Sequence, residues 1–310
     1  MEERLSLLSS GVCKYTYYGK RSSSVQVSKK SIRNLTNTPL FHSLSASSAK
    51  KIKSIITNWY IGIKLTQKQQ HNVKSNYDNY LVMITLTLPS KQIESDKVIK
   101  SKYLNNFLTK LRYYNEHFNY LWVSEKQANG NLHFHLIVDK WFDKKQIQIL
   151  WNESLSNGEY INNFQHKFGH RNPPSTKITG QSGMKDVANY CTKYVTKSEK
   201  SQPIEGKVWD CSDNLLKITN LSFSWKWYYY ELLKCDFYKL KMKHIANDFR
   251  ELFLFTGNFI LKFLSSELFF EIEEEIKQKL SDIFPVLKPQ NLLKKIEVKE
   301  VSCSQLQFAF

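Results

Sequence analysis

Cysteine is sparse in this chain of 310 residues. Cys13, Cys191, Cys211, Cys235 and Cys303 are odd in number and widely spaced, and no C-x-x-C occurs. A disulfide framework or a cysteine-built zinc site is therefore not expected, and a reducing cytoplasm is the default compartment. Long apolar runs are missing too. The nearest approach, Phe249 to Phe270, is interrupted by Arg250, Glu251, Lys262 and Glu267, so no membrane-spanning helix is expected. The first residues, Met-Glu-Glu-Arg, lack the pattern of a signal peptide. No G-x-x-x-x-G-K-[ST] is present, which argues against a nucleotide-driven motor in this chain.

What is present is a basic, aromatic, globular composition. Hydrophobic residues make up 41% and charged residues 24%, which suits a folded protein rather than a disordered one. The length suggests two domains, or one with an appendage. The net charge of +17 is unevenly placed: residues 1–200 hold 30 Lys/Arg against 13 Asp/Glu, and residues 201–310 hold 15 of each. A basic two-thirds with aromatic content of 14% across the chain points to a polyanionic partner, nucleic acid first. The other reading of the charge is a merely soluble basic surface.

The pattern along the chain divides it into a basic, Ser-rich segment over 1–47, a middle region over 48–200 and a C-terminal region over 201–310. Ile52, Ile55, Ile56, Trp59, Tyr60 and Ile63 follow helical spacing, with Ser47 or Ser48 as the expected N-cap. Leu81–Leu88 reads as a strand, Tyr103–Tyr114 as a helix, and Asn119–Glu125 and Leu132–Val138 as a hairpin around Asn129-Gly130. Lys144–Leu155 reads as a helix, Ser156–Gly183 as a loop, and Met184 to about Lys200 as a helix. The order predicts an α+β fold: a ferredoxin-like central antiparallel sheet with flanking helices. Residues 221–280 are aromatic and are expected to be mainly helical.

Two clusters carry chemistry. In Leu132-His133-Phe134-His135-Leu136-Ile137-Val138 the side chains alternate faces. The apolar residues then face the core, and His133 and His135 share the other side, about 7 Å apart along the backbone. Two imidazoles on one face can converge on a metal ion; two half-exposed residues on an amphipathic strand are the alternative. Glu125 is the natural third ligand, but only in one register. A two-residue turn at Asn129-Gly130 opposes Glu125 to Phe134, on the wrong face. A three-residue Ala128-Asn129-Gly130 loop with left-handed Gly130 opposes it to His133.

The second cluster is Tyr190-x-x-Lys193-Tyr194-x-x-Lys197. On a helix these four residues form one stripe, with Val187, Ala188, Cys191 and Val195 broadly behind. A phenol is a usable nucleophile once its proton is removed, and the lysines supply charge for phosphate or phenolate. Tyrosines packed amphipathically at a surface are the other reading.

Together these parts resemble the HUH (His-hydrophobe-His) rolling-circle replication initiators, in the two-tyrosine form of small single-stranded DNA phages and related plasmids. Ile84-Thr85-Leu86-Thr87 is similar to the first motif of that family, His133-Phe134-His135 to the second, and the tyrosine stripe, 55 residues after His135, to the third. The resemblance covers about residues 48–200. It implies site-specific nicking and joining of single-stranded DNA, through a 5′-phosphotyrosine link, to begin rolling-circle replication. It implies Mg²⁺ or Mn²⁺ on His133, His135 and Glu125, with Tyr190 and Tyr194 as nucleophiles assisted by Lys193. Lys197, Thr85 and Thr87 are expected at the DNA. The partners implied are an origin in single-stranded form and a host helicase and replication machinery, in a bacterial cytoplasm and without a membrane.

A relaxase or single-strand transposase shares the chemistry, although relaxases usually place the tyrosine before the histidines. A noncatalytic nucleic-acid-binding protein is the alternative from another class. His166-x-x-x-His170 has zinc-like spacing, and with His133 and His135 would make a four-histidine site; a DNA-contacting loop is the competing reading. The run Trp225–Tyr230 suits base stacking, core packing or a partner surface.

Overall fold

The computed structural model describes residues 2–8, 11–18, 41–70, 81–115, 118–179, 203–219, 221–237, 240–247, 250–255, 259–284 and 287. In chain order the elements are β1 (Glu2–Leu8), β2 (Gly11–Tyr17), β3 (Phe41–His42), α1 (Ala46–Gln70), β4 (Val82–Thr87) and α2 (Asp96–Val98). A π-helical stretch (Ile99–Leu104) carries α2 into α3 (Asn105–Tyr114), followed by β5 (Tyr120–Lys126), β6 (Leu132–Val138), α4 (Lys144–Leu155), α5 (Glu159–Phe168) and β7 (Thr176–Thr179). Then come β8 (Ile204–Glu205), β9 (Trp209–Cys211), α6 (Asp213–Lys217), β10 (Ser222–Ser224), α7 (Tyr229–Asp236), β11 (Met242–Asn247), β12 (Arg250–Phe255), α8 (Phe259–Phe263) and α9 (Glu267–Leu280).

The chain divides into two compact units, and the division falls inside α1. One unit holds Tyr18–Ile56 and Asp78–Leu216; the other holds Met1–Tyr17, Thr57–Tyr77 and Lys217–Phe310.

The first unit is built on a sheet of order β7-β4-β6-β5-β9, antiparallel throughout. Numbered by themselves, β4, β5, β6 and β7 run 4-1-3-2, the split-βαβ order of a ferredoxin-like sheet. The expected α+β class holds, and β9 extends the sheet beyond β5. One face is a dry core. Leu132, Phe134, Leu136 and Val138 are fully buried on it. Phe134 lies 6.3 Å from Trp151 of α4, which packs edge-on to Phe107 of α3 at 5.6 Å. The Trp151 indole N–H donates to the Thr87 carbonyl at 2.8 Å, tying α4 to β4. Removing a ring such as Phe134 would cost about 3–5 kcal/mol. On the opposite face Lys51 of α1 lies 5.6 Å over the Trp209 ring of β9.

Helix starts differ from those read by apolar spacing, because caps are polar. Ser45, not Ser47 or Ser48, caps α1: its hydroxyl accepts from Ser48 N–H at 3.1 Å. Ser95 caps α2, accepting from Val98 N–H, so the helix expected from Tyr103 begins at Asp96. The Ser156–Gly183 stretch is not all loop. Tyr160, Ile161 and Phe164 are the buried side of α5, which ends on Gly169 at φ +79°, and β7 follows.

The second unit carries a sheet of order β10-β1-β2-β12-β11, also antiparallel. Leu5, Val12, Phe223 and Phe253 are buried in it, and Leu268, Ile272, Ile276 and Leu280 are the buried stripe of α9. Lys279 Nζ sits 5.9 Å over the Phe223 ring, which sets α9 against this sheet. The mainly helical expectation for 221–280 is therefore corrected, since β10, β11 and β12 lie within it. A short apolar run such as that of β12 has no period that separates strand from helix, and its partner β2 is far away in sequence.

Candidate metal centre

The hairpin of β5 and β6 decides the site. Glu125 stands opposite His133. Gln127 N–H donates to Asn131 O at 2.9 Å and Gly130 N–H to Gln127 O at 2.8 Å, with Gly130 at φ +82°. This is the three-residue loop with left-handed glycine, and it puts Glu125 on the histidine face. A two-residue turn would have put it beside Phe134.

His133 and His135 follow each other on that face, with ring centroids 4.8 Å apart. His135 Nε2 is 2.9 Å from Glu125 Oε1. One ligand atom from each of Glu125, His133 and His135 lies within 4.8 Å of the others. The histidines are more enclosed than an amphipathic strand implies, at 9% and 7% exposure. Both sides of β6 are covered. Burial, then the neighbouring His135, pushes the His133 imidazole down to about 4, against the opposing pull of Glu125. The ring is thus neutral around neutral pH, the form that can ligate a metal.

Neighbouring strands complete the face. Thr87 pairs with His133 and Thr85 with His135 across β4 and β6. Thr87 Oγ1 is 3.3 Å from His133 Nδ1. On the other side of β4, Lys177 of β7 pairs with Thr85, so an exposed cation stands two strands from His135. Spacing alone does not pick out Lys177, because β7 lies inside a stretch whose composition reads as loop.

The hairpin is held from outside. Asn131 Oδ1 accepts from Gln92 N–H at 2.8 Å, and Asn131 Nδ2 donates to Ser90 O at 2.8 Å. Gln92 Oε1 accepts from Leu132 N–H, and its Nε2 donates to Asp96, both at 2.7 Å. Asp96 also pairs with Lys126, the residue after Glu125, and accepts from Glu205 N–H at 3.2 Å. Burial works to raise the Asp96 carboxyl, but the hydrogen bonds from Lys126, Gln92 and Glu205 hold it below the usual carboxylate range. None of these partners is legible from spacing, since each bond spans a loop.

Two imidazoles and a carboxylate on a rigid sheet suit a divalent first-row ion, and a nitrogen-rich set favours Mn²⁺ over Mg²⁺. The donor set fits the metal that the resemblance implies. Among the described residues His166 and His170 do not join this cluster. His166 is exposed in the last turn of α5. The His170 ring lies 5.2 Å from Phe164, and its Nδ1 accepts from Asn172 N–H at 3.3 Å. The four-histidine zinc site is thus not formed. Tyr190, Lys193, Tyr194 and Lys197 lie outside the described residues.

No helix among the described residues is long and apolar enough to cross a membrane. No curated protein and no solved structure matches the chain. Residues 81–199, which run from β4 through the histidine strand, match the family of replication-associated proteins of the ORF2 type, and this supports a Rep-type initiator of rolling-circle replication.

Proposed function

We propose that this protein nicks and rejoins single-stranded DNA at a specific site and so starts rolling-circle replication. The observation that carries the reading is the meeting of Glu125, His133 and His135 on one sheet face, within the stretch that matches the Rep family. These three residues would hold the metal. A divalent cation bound there supplies positive charge that polarises a phosphodiester.

The remaining steps belong to the chain. The phenol oxygen of Tyr190 or Tyr194 attacks the scissile phosphorus. A Tyr–O–P bond forms to the 5′ side, the P–O3′ bond breaks, and the departing oxygen takes a proton to become a 3′-OH. Lys193 eases loss of the phenol proton, which is unfavourable at an ordinary pKa of about 10. Lys197, Thr85 and Thr87 contact the strand. The second tyrosine repeats the transfer after one circuit, and the 3′-OH displaces the tyrosine to reseal the circle. Bond energy is kept in the protein–DNA link throughout, so the nicking and joining need no nucleotide hydrolysis. Strand separation falls to a helicase of the bacterial host. Residues 48–200 are the nuclease segment in this scheme, between a basic 1–47 and a C-terminal 201–310.

The test is incubation of the full chain with labelled single-stranded DNA and Mn²⁺. A covalent adduct that survives denaturation, maps to Tyr190 or Tyr194, and disappears with EDTA is expected. His133→Ala and His135→Ala should each abolish cleavage while DNA binding persists. Cleavage undiminished in the double alanine variant would sink the metal centre. An adduct on any other residue would sink the two-tyrosine mechanism.

A further inference from the structure

The second unit carries an open cavity of about 630 Å³ at one end of its sheet, within the usual range for ligand sites. One wall is aromatic: Trp225, Trp227 and Tyr230, from the turn after β10 and from α7. The other is polar: Glu3, Lys14, His244 and Glu251, from β1, β2, β11 and β12. All of them belong to the same unit.

The aromatic wall is rigidly backed. Trp225 stacks parallel on the buried Phe253 at 6.2 Å and packs edge-on to Tyr229 at 5.7 Å. His244 stacks on the same Phe253 at 4.6 Å. Trp227, in contrast, is 82% exposed. Core packing accounts for Trp225 and Tyr229, but not for an indole held in water beside a cavity with two further rings.

The polar wall limits what can bind. Lys14 Nζ bridges Glu3 at 2.8 Å and Glu251 at 3.2 Å, and stands 5.2 Å over the Trp225 ring. The cation position of an aromatic cage is thereby taken by the protein's own lysine, which disfavours a cationic ligand. A flat, neutral ring with donors and acceptors on its edge fits better. Each carboxylate keeps acceptor capacity, and the lysine is a donor. Lys234, 4.0 Å over the Tyr230 ring, and the exposed Lys226 flank the aromatic wall, where a phosphate backbone would run.

We infer that this cavity is a base-stacking site for single-stranded nucleic acid, separate from the metal centre. A base lies against Trp227 and its neighbouring rings, and Lys226 and Lys234 meet the flanking phosphates. Stacking, rather than net charge, carries the contact, which suits a region whose charges balance.

The experiment uses the full chain in EDTA, so that no strand is cut, with a strand of about 30 nucleotides, long enough to exceed one single-strand site, bearing 5-iodouracil. Photocross-linking followed by mass spectrometry should place links on Trp225, Trp227 or Tyr230. In fluorescence anisotropy, Trp227→Ala should weaken binding about tenfold, and Trp227→Phe should recover most of it. Trp227 is too exposed for its loss to unfold the unit, and an unchanged melting curve verifies that. Absence of cross-links at all three residues overturns the site, as does an unchanged affinity in Trp227→Ala. Adduct yield with Mn²⁺ on saturating DNA should not change in Trp227→Ala. Loss of all adduct in the unaltered protein would sink the nuclease reading and leave this site standing.

Discussion

Thr87 shows how one hydroxyl can set the state of a metal ligand. A neutral imidazole carries its proton on one nitrogen only. With Thr87 Oγ1 at 3.3 Å accepting from His133 Nδ1, the lone pair is left on Nε2 for a metal. Partners of this kind typically matter by about 10–100-fold in metal affinity. Thr87→Val is therefore expected to weaken Mn²⁺ binding by about that range in calorimetry, with Thr87→Ser close to the unaltered protein. Equal affinity in the valine variant would remove Thr87 from this role. Asp96 acts at a greater remove. Asp96→Asn keeps the shape but leaves Lys126 buried without its carboxylate, at a cost of about 3 kcal/mol. The Asp96 carboxyl is depressed in the folded state. Its contribution is therefore complete above the ordinary value near 3.8 and is lost as pH falls through the lower folded value. Urea melts from neutral pH down into that acid range should show a shallower acid loss in Asp96→Asn; identical slopes would contradict the linkage. Sequence alternation alone puts His133 and His135 on one face. It is silent on Gln92, Asn131 and Asp96, because a side-chain bond across a loop leaves no period.

The loop of the β5–β6 hairpin is the element on which the metal centre turns. Strand side chains alternate with a period of two, so one residue more or less in the loop moves Glu125 to the other face. Deleting Ala128 is expected to leave a two-residue Asn129-Gly130 turn and to oppose Glu125 to Phe134. Metal binding should then fall to the level of Glu125→Ala. Retained affinity in the deletion variant would show that Glu125 is dispensable. Other elements are legible to different degrees for physical reasons. β6 and α4 coincide with the segments read from sequence, since each has a clean period and a polar border, Asp143 capping α4 at 2.8 and 3.1 Å. α5 and β7 are hidden by the Gly, Pro and His residues around them. β12 is hidden because its neighbours in the sheet are β2, from the other end of the chain, and β11. Local pattern cannot report a partner so distant in sequence.

At the scale of the whole molecule, charge and aromatic surface divide the work of holding a strand. The excess of +17 lies within residues 1–200, and the exposed Lys177 stands on the face of the metal centre, paired with Thr85. Each phosphate neutralised on a single strand adds about 0.7 to the slope of log K against log salt. Stacking adds affinity without adding slope. Lys177→Glu is therefore expected to weaken DNA binding and to lower the slope by at least ~0.7. Trp227→Ala should lower affinity at every salt concentration and leave the slope alone. Titrations of one oligonucleotide across a salt series, in EDTA, separate the two effects. A slope unchanged in Lys177→Glu would mean that the strand does not cross β7. It would have to reach His133 and His135 by a path that avoids the β7 edge of the sheet.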